Sequence, residues 1–189
     1  MLKSLHVTER NELHLAVSMR SFRAEALSAF VGHVVENRAA EACRVYEEIS
    51  DRYPIWLTRD LNQVGRWLRS KARGSERYGL LASSKGYRLR AEGLHVRAKI
   101  DAPSWFLNDR TDVRSSFYCE EVGTEFDVQG LELDWIGVCW DADFRYWNGL
   151  WKSLSFSGTR CQQVNTAERR LYLKNAYRVI LTRARHSGS

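Results

Sequence analysis

Apolar positions along this chain follow two spacings in turn, one near two residues and one near three and a half. Leu13-His14-Leu15-Ala16-Val17 alternates in part, which predicts a short strand, and it runs into a basic polar turn, Ser18 to Arg23. Leu27, Phe30, Val31 and Val34, then Ala42, Val45, Tyr46 and Ile49, predict two helices over Ala24–Val35 and Ala39–Ile49. A strand is expected at Pro54–Leu57, followed by a helix with Asp60 as its N-cap and Val64, Trp67 and Leu68 as its inward stripe. Gly74 ends that segment, and Tyr78-Gly79-Leu80-Leu81-Ala82 reads as a buried strand. Strands alternating with helices imply an α/β domain with a mainly parallel sheet covered on both faces.

From Ser83 to Ser116 the pattern fades. Arg88, Arg90, Arg97, Lys99, Arg110 and Arg114 are interleaved there with Tyr87, His95, Trp105 and Phe106. Such a stretch can follow a phosphate backbone and stack on bases. It can equally be a solvated loop held down by aromatic anchors. Val122–Phe126 and the strongly apolar Trp135–Trp140 are the next expected strands, and Asp141–Thr159 reads as irregular. A last helix begins near Thr166 and carries Leu171, Leu173, Ala176, Val179 and Ile180, with no strand expected after it.

Composition narrows the function classes. The 189 residues fit one domain, 1–189, and a balance of 44% hydrophobic to 28% charged residues suits an ordinary globular chain. No apolar run is long enough to cross a bilayer, and the N-terminus lacks a signal-peptide core, so a cytoplasmic chain without a membrane partner is expected. Cys43, Cys119, Cys139 and Cys161 are far apart and the five histidines are scattered, so neither a metal centre nor a disulfide scaffold is expected. No G-x-S-x-G elbow or Cys/His pairing suggests acyl transfer. A net charge of +6 suits phosphate contact without specifying it.

Two segments are more specific. Thr124-Glu125-Phe126-Asp127-Val128-Gln129-Gly130-Leu131-Glu132-Leu133-Asp134 resembles motif V of superfamily-one helicases, T-x-H-x-x-Q-G-L-E-F-D before an apolar strand. Asn175 to Arg185, ending in Thr182-Arg183-Ala184-Arg185, resembles motif VI. Trp140-Asp141-Ala142-Asp143-Phe144-Arg145-Tyr146 is similar to a segment of the Schlafen-group-three-like DNA/RNA helicase domain, and Met19-Arg20-Ser21 resembles motif IV. The resemblance covers roughly residues 13–185.

It implies the second, C-terminal RecA-like half of an ATP-dependent DNA/RNA helicase, a three-layer P-loop-NTPase-type fold whose motif residues gather at the C-terminal strand ends. The family pattern makes Arg183 the cation delivered to the γ-phosphate, a role its planar, permanently charged fork suits. It makes Arg20 a second cation, places Gly130 against the nucleotide, has Glu132 accept a hydrogen bond from the ribose, and has Gln129 couple nucleotide to nucleic acid. Thr124 and Phe126 would touch the strand, with Phe126 standing where the family often has histidine. Taken singly, Gly130 also suits a turn, Glu132 a solvated edge, and Arg183 a helix C-cap.

No G-x-x-x-x-G-K-[ST] loop occurs, and the Mg²⁺-binding acidic motif has no counterpart. ATP and Mg²⁺ are therefore expected only together with a P-loop-containing first domain as partner, and neither for the isolated chain. Relative to the family the chain looks truncated at both ends. The expected ligand otherwise is single-stranded DNA or RNA. Two alternatives stand beside the motor half. One is a noncatalytic nucleic-acid-binding module; the other is a metal-dependent nuclease using Glu120, Glu121, Glu132 and Asp134, which would need those carboxylates to converge.

Overall fold

The computed structural model describes residues 19–157 and 160–185. The expected strand Leu13–Val17 and the side chain of Arg20 lie outside what is described. Helix α1 spans Met19–Val35, so the segment expected as a turn is helical from Met19 onward. Nothing between Met19 and Ala24 is Gly or Pro, and without a breaker the helix propagates through the arginines. Helices α2 (Ala39–Ile49) and α3 (Leu61–Lys71) follow as the apolar spacing predicts. The Asp60 side chain accepts from the Asn62 amide at 2.9 Å, which makes it the N-cap of α3.

Pro54–Leu57 is not a strand. Its backbone finds no ladder partner among the described residues, Leu57 is 88% exposed, and Trp56 instead stacks on Trp67 of α3 with centroids 6.0 Å apart. A strand needs a neighbouring edge, which residue preference alone does not supply.

Strand β1 (Tyr78–Ala82) is buried throughout and lies between β2 (Val122–Gly123) and β3 (Trp135–Cys139), both parallel to it. Pairing runs from Tyr78↔Trp135 to Ala82↔Cys139 on one side, with Leu80↔Val122 on the other. Alternation along β1 sends its side chains into two apolar clusters. Tyr78, Leu80 and Ala82 join Leu68 of α3, Leu94, Val96, Phe117 and Trp135. Leu81 joins Leu27, Val31 and Val35 of α1 with Leu173, Tyr177 and Ile180 of α5 (Ala167–Leu181). The short helix α4 (Ala102–Leu107) adds Trp105, fully buried, whose ring closes over Gly79.

The stretch Asp141–Thr159, expected to be irregular, instead carries β4 (Phe144–Trp147) and β5 (Leu150–Ser157), which with β6 (Arg160–Gln163) form an antiparallel sheet. Half the strands are thus antiparallel, and the sheet is not mainly parallel as expected. The two-residue turn Asn148-Gly149 has φ of 50° and 81° and joins Trp147 to Leu150, a hairpin signal present in the sequence. Phe144 and Trp151 stack at 4.6 Å and carry this sheet onto Tyr177 of α5. The chain is an α/β fold with one small parallel and one antiparallel sheet.

Candidate nucleotide and nucleic-acid site

Motif V begins where β2 ends. Strand pairing stops at Gly123, short of the expected Phe126, because the Thr124 amide and hydroxyl both turn onto Asp127 Oδ2, at 2.9 and 2.6 Å. That local capping starts a run of turns through Gly130 and commits the Thr124 hydroxyl to a protein acceptor. Val128 and Leu133, both buried, pin the two ends of the loop into the core. Between them Gln129, Gly130 and Glu132 are exposed. Gly130 has φ of 80°, and a Cβ there would meet no atom within 4 Å, so the glycine is required by backbone conformation and not by crowding from the protein.

The far end of motif V touches motif VI. The Leu133 amide donates to the Arg183 carbonyl at 3.0 Å, and the Arg185 amide donates to the Leu133 carbonyl at 2.7 Å. These bonds make Leu133 and Ala184 a parallel bridge beside the start of β3. Glu132 and Arg185 then meet at 3.1 Å, an ion pair with both side chains about half exposed. Such a pair contributes about 0–1 kcal/mol, so it marks proximity more than stability. The Arg183 Nε is buried without a hydrogen-bond partner among the described residues. Capping of α5 is done by Thr182, whose hydroxyl donates to the carbonyls of Arg178 and Val179. Arg183 is thereby left free of the helix-capping role that its position allowed.

Motif residues do not all gather at C-terminal strand ends. Thr124 and Phe126 follow the C-terminal end of β2, whereas Glu132 precedes the N-terminal end of β3 and brings Arg183 there. The crossover through motif V separates its two halves by the length of a strand. Arg20 lies in the first turn of α1.

The C-terminal strand ends hold a polar cluster that the sequence reading missed. Glu125, buried at the end of β2, accepts from the Ser84 amide at 2.8 Å and hydroxyl at 2.7 Å, and from Tyr172 of α5 at 2.6 Å. Burial, together with the Glu125 hydrogen bond, pushes the Tyr172 hydroxyl up to about 12. Phe126 is 61% exposed and stacks on the same Tyr172, with centroids 6.4 Å apart. Beyond β3, Asp143 is fully buried and accepts from Tyr177 at 2.6 Å, while Tyr177 accepts from the Asp141 amide at 3.2 Å. Burial raises the Asp143 carboxyl above its ordinary range, with the Tyr177 and Ser83 hydroxyls offsetting part of it. Burial and the Asp143 charge raise Tyr177 well above the usual phenol. No sequence signal marks Glu125 or Asp143, because which carboxylates meet Tyr172 and Tyr177 depends on topology.

The basic, aromatic stretch divides in two. Trp105 is a core anchor, and Arg114 is engaged by Asp112 at 2.7 Å. Arg88, Arg90 and Arg97 line an open cavity instead.

The four carboxylates of the nuclease alternative do not converge. Glu132 pairs with Arg185, Asp134 accepts from the Arg77 amide at 2.7 Å, and burial raises Glu121. Among the described residues no three His, Cys, Asp or Glu side chains gather as a metal site. Nor is any described helix long and apolar enough to cross a membrane.

A strand-end bridge thus joins the Thr124–Asp134 and Asn175–Arg185 segments inside an α/β fold. The chain matches the family described as Schlafen group 3, DNA/RNA helicase domain, over residues 1–188, and it belongs to that family. Membership carries helicase-like function and interaction with nucleic acid in general terms. No curated protein and no solved structure matches the chain.

Proposed function

We propose that this chain is the C-terminal, RecA-like motor half of an ATP-dependent DNA/RNA helicase-like protein. It would supply motifs IV, V and VI to a nucleotide site completed by a separate first domain that brings the phosphate-binding loop and Mg²⁺. The observation that carries the reading is the hydrogen-bonded bridge Leu133↔Ala184, which sets Arg183 and Glu132 side by side. Phosphoryl transfer is catalysed by positioning and by charge placed where charge develops. Arg183 is partly exposed, its buried Nε has no hydrogen-bond partner among the described residues, and its fork would be the group delivered to a γ-phosphate across a domain interface. Glu132 retains acceptor capacity for a ribose hydroxyl beside its ion pair, and exposed Gln129 and Gly130 stand next to it in the chain.

The test restores a first domain by fusion or in trans and measures nucleic-acid-stimulated ATP hydrolysis. Arg183→Lys keeps the charge and removes the bidentate fork, and it should cost most of the rate, since arginine fingers contribute about 10³–10⁵. Arg185, which a continued helix would have pointed elsewhere, is no neutral control. It sits on the same extended segment, where residues two apart share a face, and it holds Glu132. Arg170, exposed in the first half of α5, is the better one as Arg170→Lys. Equal mild losses for both variants would refute the motor reading and leave a noncatalytic nucleic-acid-binding module.

A further inference from the structure

Past the C-terminal end of β1, the chain winds through a 3₁₀ turn at Tyr87–Glu92 and encloses a cavity of about 850 Å³. Tyr87, Arg88, Arg90, His95, Arg97 and Phe156 of β5 line it, and no carboxylate does. The first five come from the turn and the loop after it; the last is brought in by the antiparallel sheet that the sequence did not announce. Leu94 and Val96, both buried, give the cavity an apolar floor. The Arg97 guanidinium lies 4.0 Å from the Tyr87 ring centroid, and that of Arg88 lies 5.3 Å from the Phe156 centroid. A guanidinium held flat on a ring keeps its N–H edge free, which orients the fork toward an anion. Among the described residues none of the three arginines forms an ion pair with a carboxylate within 4.0 Å.

Unneutralised cations over aromatic walls and an apolar floor fit a ligand with both phosphate and a flat base. Two sources share that chemistry, a free nucleotide and a single strand. All three arginines are exposed, whereas a site for a small free ligand covers most of its surface. An open, arginine-edged trough suits a chain that passes through it. We propose that this cavity binds a phosphate–base unit of single-stranded nucleic acid, apart from motifs V and VI. The inference rests on the cavity alone and stands whether or not Arg183 acts on ATP.

The test uses the full chain and fluorescence anisotropy of a labelled oligothymidylate, about 12 nucleotides long to match typical strand-binding footprints, titrated across a salt series. Arg88→Ala and Arg97→Ala should each weaken binding severalfold and lower the salt slope by about one released counterion. Arg97→Lys should recover the slope but not the full affinity, because the stacked fork is lost. Phe156→Leu should weaken binding with the slope unchanged. Arg44→Ala, an exposed arginine on α2, removes the same charge elsewhere and should move affinity less than twofold. Equal effects of Arg44→Ala and the cavity variants, or no strand binding by the unaltered chain, would overturn the proposal. Full displacement of the strand by equimolar thymidine monophosphate would also overturn it, in favour of a free-nucleotide pocket.

Discussion

Tyr177→Phe removes one oxygen from the centre of the molecule and little else. The ring is fully buried, stacked on Trp140 at 4.4 Å and packed against Phe144 at 5.3 Å, and phenylalanine keeps those contacts. What goes is the hydroxyl that donates to Asp143 Oδ1 and accepts from the Asp141 amide. The other Asp143 oxygen is already buried without a partner. Losing a charge-assisted hydrogen bond inside a protein costs about 1.5–3 kcal/mol, and the orphaned amide adds about 1 kcal/mol. The sign with pH follows from Asp143, whose folded pKa is raised, chiefly by burial, with nearby Asp141 adding to it. Between its unfolded and folded pKa values the native state holds more protons. Stability is therefore fullest below about pH 4 and falls as pH rises through the folded value. Without the Tyr177 donor that window extends upward, so the variant should lose about 2–4 kcal/mol at pH 7 and only about 1 kcal/mol near pH 4. Urea unfolding at the two pH values measures both losses as a difference from the unaltered chain, which cancels other carboxylates. Asp143→Asn removes the titration, and Tyr177→Phe in that background should cost about 1 kcal/mol at either pH. A loss independent of pH, or strict additivity of the two substitutions, would refute the account.

Two further outcomes test packing and exposure. Gly137→Ala places a Cβ 2.6 Å from Val64 Cγ1 and 2.8 Å from Leu80 Cδ2, between α3 and the sheet. It should lower stability by about 1–3 kcal/mol in urea unfolding, and Val64→Ala should recover part of that; a neutral substitution in both backgrounds contradicts the packing. Burial pushes the Cys139 thiol up to about 12 and that of Cys119 to about 11, while Cys43 and Cys161 are exposed. Titration with a chromogenic disulfide at pH 8 should show two fast thiols in the native chain and four after denaturation, and four equal native rates would contradict this.

Elements whose partners lie close in sequence, or whose apolar spacing is complete, were legible. The stripes of α2 and α3, the Asp60 cap, the buried run of β1 and the helix α5 all appear where the spacing puts them. The rest turned on a distant partner or on a local turn that residue preference alone does not reveal. Ile55 and Leu57 look like strand residues, but among the described residues no edge reaches them. Thr124 and Asp127 close a local turn that outcompetes pairing beyond Gly123. The Asn148-Gly149 hairpin signal stands in the sequence, but its flanks are aromatic and do not simply alternate. Within the candidate site, Glu132 and Arg183 could be named from their motifs. That Glu132 would meet Arg185, 53 positions on from it, required the bridge at Leu133. Glu125 and Asp143 were unremarkable in sequence because their partners, Tyr172 and Tyr177, lie on the last helix.

Helix α5 and the residues just past it reach both ends of the Thr124–Asp134 segment, which flank opposite strand ends. Tyr172, in its first half, binds Glu125 and stacks on Phe126 at the C-terminal end of β2. Ala184, just past its other end, pairs with Leu133 ahead of β3. A 15-residue helix is about 22 Å long, enough to run the depth of the sheet. Leu173, Ala176, Tyr177 and Ile180 bury one face, and Glu36, just past α1, pairs with both Lys174 and Arg178 on the helix. Sliding α5 along its axis would unseat all of these together, so its two ends keep a fixed spacing. Under the proposed motor reading, a nucleotide that moves Arg183 would act on the exposed Phe126 through α5, whose contacts at that far end are Tyr172 and Glu125.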